Sequence, residues 1–159
     1  MRKLTSPMRT FRIGDPEGRH PIYSGKGAAL VEGRWHEKGQ EVIYTSEHYS
    51  LAMLEKLAHY SGVLPPNQHF IEITLPAGTS YQVVTKDSLP DWHKRDGGAA
   101  RAFGSTWLQS GRSAVLIVPS RVAREERNVL INPRHPDAKP IRQGLETPVW
   151  WDERLFDPG

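Results

Sequence analysis

The apolar run Ala114-Val115-Leu116-Ile117-Val118, closed by Pro119, constrains this chain more than any other stretch. It reads as a buried strand, because a short, uninterrupted apolar segment ended by a ring that cannot extend the ladder fits a sheet interior. A buried strand needs a core around it, and 159 residues suffice for one core-forming unit. Ile71, Ile73 and Leu75 alternate with Glu72 and Thr74 as a second strand. Tyr81-Gln82-Val83-Val84 follows a Pro-Ala-Gly turn, which suggests a hairpin or a neighbouring pair with it. Phe11-Arg12-Ile13, Glu41-Val42-Ile43-Tyr44 and Val129-Leu130-Ile131 supply further short strands.

Two segments carry helical spacing. Residues 99–109 place Ala100, Phe103 and Trp107 on one face. Residues 47–60 follow Thr45-Ser46, hydroxyls suited to capping, and hold Leu51, Ala52, Met53, Leu54, Leu57 and Ala58. So much of that helix is apolar that burial on more than one side is expected. The pattern is α+β: a compact domain of short strands with helices on its faces. Residues 1–9 read as a loose leader, and residues 142–159, with Trp150 and Trp151, read as a tail packed on the domain. Residues 1–159 thus form one domain.

Composition excludes several chemistries. There is no cysteine, hence no disulfide framework, thiolate metal site or cysteine nucleophile, and a reducing compartment fits best. No stretch approaches the roughly 20 apolar residues that span a bilayer, and no signal core follows the first residues, so the expected location is the cytoplasm. The net charge of +3 suits phosphate-bearing ligands and acidic protein partners equally. Gly25-Lys26 is followed by Gly27 rather than Ser or Thr, so no P-loop forms, and the third glycine of a dinucleotide fingerprint is missing. The seven His are scattered without HExxH, so no metal is expected, and no serine sits in GxSxG.

The candidate chemistry centres on Glu55. A carboxylate on a largely apolar helix must pair with a cation, reach solvent or line a cleft where its charge has a task. Tyr44 ends the strand that feeds this helix, so one strand–turn–helix unit can bring phenol and carboxylate together; core packing is the alternative for an isolated strand tyrosine. Arg34, between Gly33 and Trp35, and Arg12, on the first strand, offer guanidinium forks suited to a diphosphate, or are solvated structural arginines. Ser120 stands at the C-terminal end of the buried strand, where open sheets present ligand-binding groups or simply turn. Ser46 either meets a ligand or caps the helix.

Arg34 in Glu-Gly-Arg-Trp, Tyr44-Thr-Ser, Leu51-Ala-Met-Leu-Glu55, Val118-Pro-Ser120 and Asn132-Pro-Arg-His135-Pro together resemble the RES domain family, in matching order from about Phe11 to Ile141. Each motif is weak alone, and five in order are specific. Arg12 and Arg34 both stand in contexts that match the family arginine. The chain departs in carrying Glu32 and His36 where the family often has Gly and Asn around Arg-Trp.

The resemblance implies an ADP-ribosyltransferase-like fold of short mixed or antiparallel strands acting on NAD+ as substrate. It implies a toxin held in check by an Xre-type antitoxin protein that covers the active site. Under it, Glu55, Tyr44 and Arg34 are catalytic, while Arg12, Arg34, Tyr44, Ser46 and Ser120 bind NAD+. The ADP-ribose acceptor stays open between water, phosphate and a protein, and no direct nucleic-acid or membrane binding is expected. A rival reading, a nucleic-acid-binding or RNA-cleaving toxin, draws on the basic balance and the five Trp; binding that weakens steeply with salt would distinguish it.

Overall fold

The computed structural model describes residues 1–156; residues 157–159, the end of the expected tail, lie outside the described residues. In chain order the elements are β1 (Arg2–Lys3), β2 (Met8–Gly14), β3 (Ile43–Ser46), α1 (Tyr49–His59), β4 (His69–Leu75), β5 (Ser80–Val83), α2 (Gly98–Ser110), β6 (Val115–Pro119), β7 (Arg127–Ile131), β8 (Arg142–Gln143) and β9 (Thr147–Pro148). The strands form one mixed sheet in the order β1-β5-β6-β7-β3-β2-β4-β8, with β9 also paired to β4. The fold is α+β. Among the described strands only β5 and β6 run parallel, and α2 lies in the crossover between them.

The apolar run is explained by two cores, one on each side of β6. Val115 and Ile117 join Ile43, Ile71, Ile73, Leu75, Val129 and Ile131 in one. Leu116 and Val118 join Trp35, Val42, Trp92, Trp107 and Leu130 in the other. Successive side chains point to opposite faces, so a strand covered on both sides is apolar at every position rather than every second one. All five residues of β6 are buried, each large side chain contributing about 1.5–3 kcal/mol of transfer free energy.

Four expectations change. First, β4 and β5 are not a pair: β4 lies between β2 and the short β8 and β9, while β5 lies between β1 and β6. The turn at Gly78, with φ of +92°, is clipped to the chain start by bonds between Leu4 and residues 78 and 79, which leads β5 away. Secondly, the leader is tied down, since Arg2 and Lys3 pair with Tyr81 and Ser80 and β2 begins at Met8. Thirdly, Thr45 and Ser46 belong to β3 and do not cap α1; His48 holds the N-cap position without a side-chain capping bond. The Thr45 hydroxyl instead donates to the Val129 carbonyl at 2.7 Å.

Fourthly, α1 is covered on one side alone. Only Leu51 and Ala52 are buried, and Leu54 is 40% exposed. The helix rests on β2 and β3. Helix α2 is bounded by two left-handed glycines, Gly97 and Gly111, and the Gly111 N–H closes onto the Trp107 carbonyl. The tail contributes β8 and β9 to the β4 edge, while Trp150 remains 76% exposed.

Candidate functional site

Three local devices converge on one cleft. The β3–α1 unit carries Tyr44 at the strand and Glu55 on the helix, as the strand–turn–helix pattern predicts. The loop before β3 carries Arg34, Trp35 and His36. The β6–β7 connection carries Ser120, Arg121 and Arg124 and leads to Asn128 on β7. Two adjoining cavities, about 380 and 650 Å³, share Tyr44, Glu55, His59 and Asn128 in their walls. The smaller is completed by Arg12, Val31, His36 and Lys56 among others. The larger is completed by Arg34, Trp35, Arg121 and Arg124.

Glu55 stands at the seam. Its carboxylate accepts a short hydrogen bond from the Asn128 amide, and the Ser120 hydroxyl lies near enough to favour its charged form. The Ser46 hydroxyl donates to Asn128 Oδ1 at 2.8 Å, which fixes which end of the amide faces Glu55. Burial pushes the Glu55 carboxyl above the ordinary carboxylate range; the Asn128 bond, the nearby Ser120 hydroxyl and the charge of Arg34 act in the opposite sense. Ser120 is itself fully buried and lines neither cavity. Expected on a ligand, it instead accepts the Ala123 N–H at 3.1 Å, close to Glu55.

Tyr44 is pinned from two directions. The Trp35 N–H donates to its hydroxyl at 3.1 Å, and His36 Nδ1 lies 2.6 Å from the same oxygen. Burial raises the phenol pKa well above normal, so it stays neutral. Arg34 donates from Nη1 to the carbonyls of Trp92 and Lys94, each at 2.9 Å, which anchors its fork in the larger cavity. Burial and the neighbouring Arg121 and Arg101 lower its pKa. Arg12 donates to the carbonyls of Ile22 at 2.6 Å and Tyr44 at 2.8 Å, so much of its donor capacity serves the fold. Its pKa falls to about 10 by burial. Lys56, beside it in the smaller cavity, falls to about 8 through burial and then the Arg12 charge.

Sequence reasoning missed Asn128, Lys56, Arg121 and Arg124. For Asn128 the signal was absent in principle: it meets Ser46 because β3 and β7 pair in that register, and no local motif encodes a cross-strand partner. Arg121 and Arg124 follow Ser120 closely, and their two-cation spacing on a loop was a readable sign. Glu32, which departs from the resembled pattern, is held 2.7 Å from Arg101 on α2. Among the described residues no group of three or more His, Asp or Glu could hold a metal ion, and no helix is long and apolar enough to cross a membrane.

The RES domain model matches residues 9–152. This chain belongs to the RES domain family. A Sphingobium sp. (strain YBL2) relative, the Prs ADP-ribosylating toxin, is 40% identical over 97% of this chain and 94% of its own. Toxin Res of Pseudomonas putida KT2440 is 34% identical over 84% of this RES chain and 92% of its own length. The fold is shared with a chain of the M. tuberculosis MbcT–MbcA toxin–antitoxin complex, with a TM-score of 0.71 at 13% identity, covering 92% of this chain and 86% of that one.

Proposed function

We propose that this RES domain is the toxin of a toxin–antitoxin pair and cleaves the nicotinamide–ribose bond of NAD+ on an ADP-ribosyltransferase-like scaffold. The observation that carries the reading is Glu55 at the seam of two adjoining cavities, its charged end held by Asn128. The relatives named as ADP-ribosylating and Res toxins support the same reading. A toxin–antitoxin complex of the same fold supports a protein antitoxin, and the family resemblance adds that it is of Xre type and covers the cleft.

As the C1′–N bond of NAD+ breaks, its electron pair leaves with nicotinamide, which departs neutral and needs no proton. Positive charge develops on the ribose, and a carboxylate fixed beside C1′ stabilises that state more than the ground state. Glu55 takes this role. Arg34, joined by Arg121 and Arg124, holds the diphosphate, since guanidinium forks match phosphate oxygens. Tyr44 presents its ring to nicotinamide while its hydroxyl is occupied. Arg12 and Lys56 supply positive potential in the smaller cavity, Ser46 orients Asn128, and Ser120 positions Glu55. Among acceptors, the name of the Sphingobium relative favours transfer to a protein.

The deciding experiment incubates purified protein with NAD+, alone, with phosphate, and with cell lysate, following nicotinamide release and the fate of ADP-ribose. Nicotinamide release is expected, and an adduct on a lysate protein marks a protein acceptor. Absence of nicotinamide release in all three mixtures by folded protein overturns the reading.

Glu55 must be ionised to act, so activity falls as pH drops through its raised pKa. The acid limb of the rate–pH profile should therefore lie above the ordinary carboxylate value of about 4.3. The Asn128 bond favours the charged form, hence Asn128→Ala should move that limb to still higher pH. A limb that stays in place means that Glu55 does not set it.

A further inference from the structure

We propose that His36 is a positioning residue that couples two walls of the cleft: it holds Tyr44 with one ring nitrogen and the 27–31 loop with the other. The inference rests on the reading of the cleft as the NAD+ site and assigns a role that the candidate residues did not include.

The tautomer follows from the partners. His36 Nε2 lies 2.7 Å from the Ala28 carbonyl and 3.0 Å from the Val31 carbonyl. Carbonyls only accept, so Nε2 carries the proton and donates to both. In the neutral ring Nδ1 is then an acceptor, and the Tyr44 hydroxyl donates to it at 2.6 Å. That hydroxyl also accepts the Trp35 N–H at 3.1 Å. Its single proton is thus committed to His36, and Tyr44 offers the ligand its ring rather than a donor.

The arrangement is built into the fold. His36 is 3% exposed, so both nitrogens must find protein partners. Its own carbonyl accepts the Gly33 N–H at 3.1 Å, closing the turn that carries Arg34. A Cβ on Gly33 would come within 2.6 Å of the imidazole Cε1 and 2.9 Å of the Tyr44 hydroxyl, so only glycine leaves room for the pair. Gly27, Ala28 and Val31 line the smaller cavity, as do His36 and Tyr44. One imidazole therefore sets both the floor residue Tyr44 and the loop that walls it.

Two substitutions divide the roles. In His36→Asn the side-chain oxygen stands near Nδ1 and still accepts from Tyr44, but nothing reaches Ala28 and Val31. In His36→Gln the amide nitrogen stands near Nε2 and still donates to the loop, but the bond to Tyr44 is lost. Loosening the loop weakens substrate binding, whereas freeing Tyr44 disorders the ring against the reacting base. His36→Asn is therefore expected to raise the KM for NAD+ about tenfold with kcat nearly unchanged, and His36→Gln to lower kcat about tenfold with KM nearly unchanged, the size expected for one buried hydrogen bond. Equal losses in both parameters for both variants would overturn the division of roles.

A second measurement needs neither a variant nor turnover. The ¹⁵N and ¹H imidazole NMR signals of His36 in the wild-type protein should show protonated Nε2 and bare Nδ1. A proton on Nδ1 overturns the proposal. Because this readout is independent of NAD+ chemistry, its failure is distinguishable from failure of the functional reading, which shows as absent nicotinamide release in the wild type.

Discussion

Glu55→Gln is expected to fold as the wild type does and to release nicotinamide about 10²–10³-fold more slowly, the usual loss when one preorganised electrostatic contact to the transition state is removed. The amide keeps the shape of the side chain, and its oxygen can still accept from Asn128, so the structural bond survives while the charge does not. Stability should move the other way. Burial raises the Glu55 pKa in the folded chain, so the stability linked to this group is fully present below its unfolded pKa and is lost as pH rises through the folded one. At neutral pH the ionised carboxylate is the costly form, and glutamine removes that cost. The melting temperature of the variant at pH 7 should equal or exceed that of the wild type. Unchanged nicotinamide release removes Glu55 from the mechanism, and a lower melting temperature contradicts the electrostatic account of its burial.

Gly104→Ala should have the largest effect on stability. In an open helix this substitution stabilises by about 1 kcal/mol, because alanine loses less backbone entropy than glycine. Here the added Cβ would fall 1.8 Å from the Trp35 carbonyl oxygen and 2.6 Å from its carbon, both backbone atoms. No side-chain rotation relieves that overlap, so α2 or the loop carrying Arg34, Trp35 and His36 must shift. Overpacking of this kind costs about 1–3 kcal/mol or more, which outweighs the propensity gain. Urea unfolding should show a lower midpoint, and because the displaced loop walls the cleft, NAD+ turnover should fall with it. A variant as stable as the wild type would mean that α2 does not approach Trp35 so closely.

The same close approach shows why part of the site was illegible. The sequence exposes Gly104 as one more helical glycine, and nothing near it in the chain names Trp35 as its neighbour. Likewise Ser46 read as a cap because hydroxyls before a helix usually cap it, whereas pairing of β3 with β7 turns it toward Asn128. Leu54 read as buried because periodicity records apolar faces but not whether a second layer covers them. The β4–β5 hairpin failed for a related reason: local turn chemistry competes with the long-range pairing of β5 to the buried β6, and the latter prevailed.

From the sequence by itself came the α+β class, the β6 core strand, the approximate course of both helices and the candidates Arg34, Tyr44 and Glu55, which the fold gathers at one cavity, because each rests on local pattern or on motifs in a fixed order. The tertiary structure alone decided strand order, the exposure of α1, the Asn128–Glu55 bond and the His36–Tyr44 pair. These depend on side chains distant along the chain meeting across a sheet or a loop, and such meetings are selected by global packing and pairing register, which no local window contains.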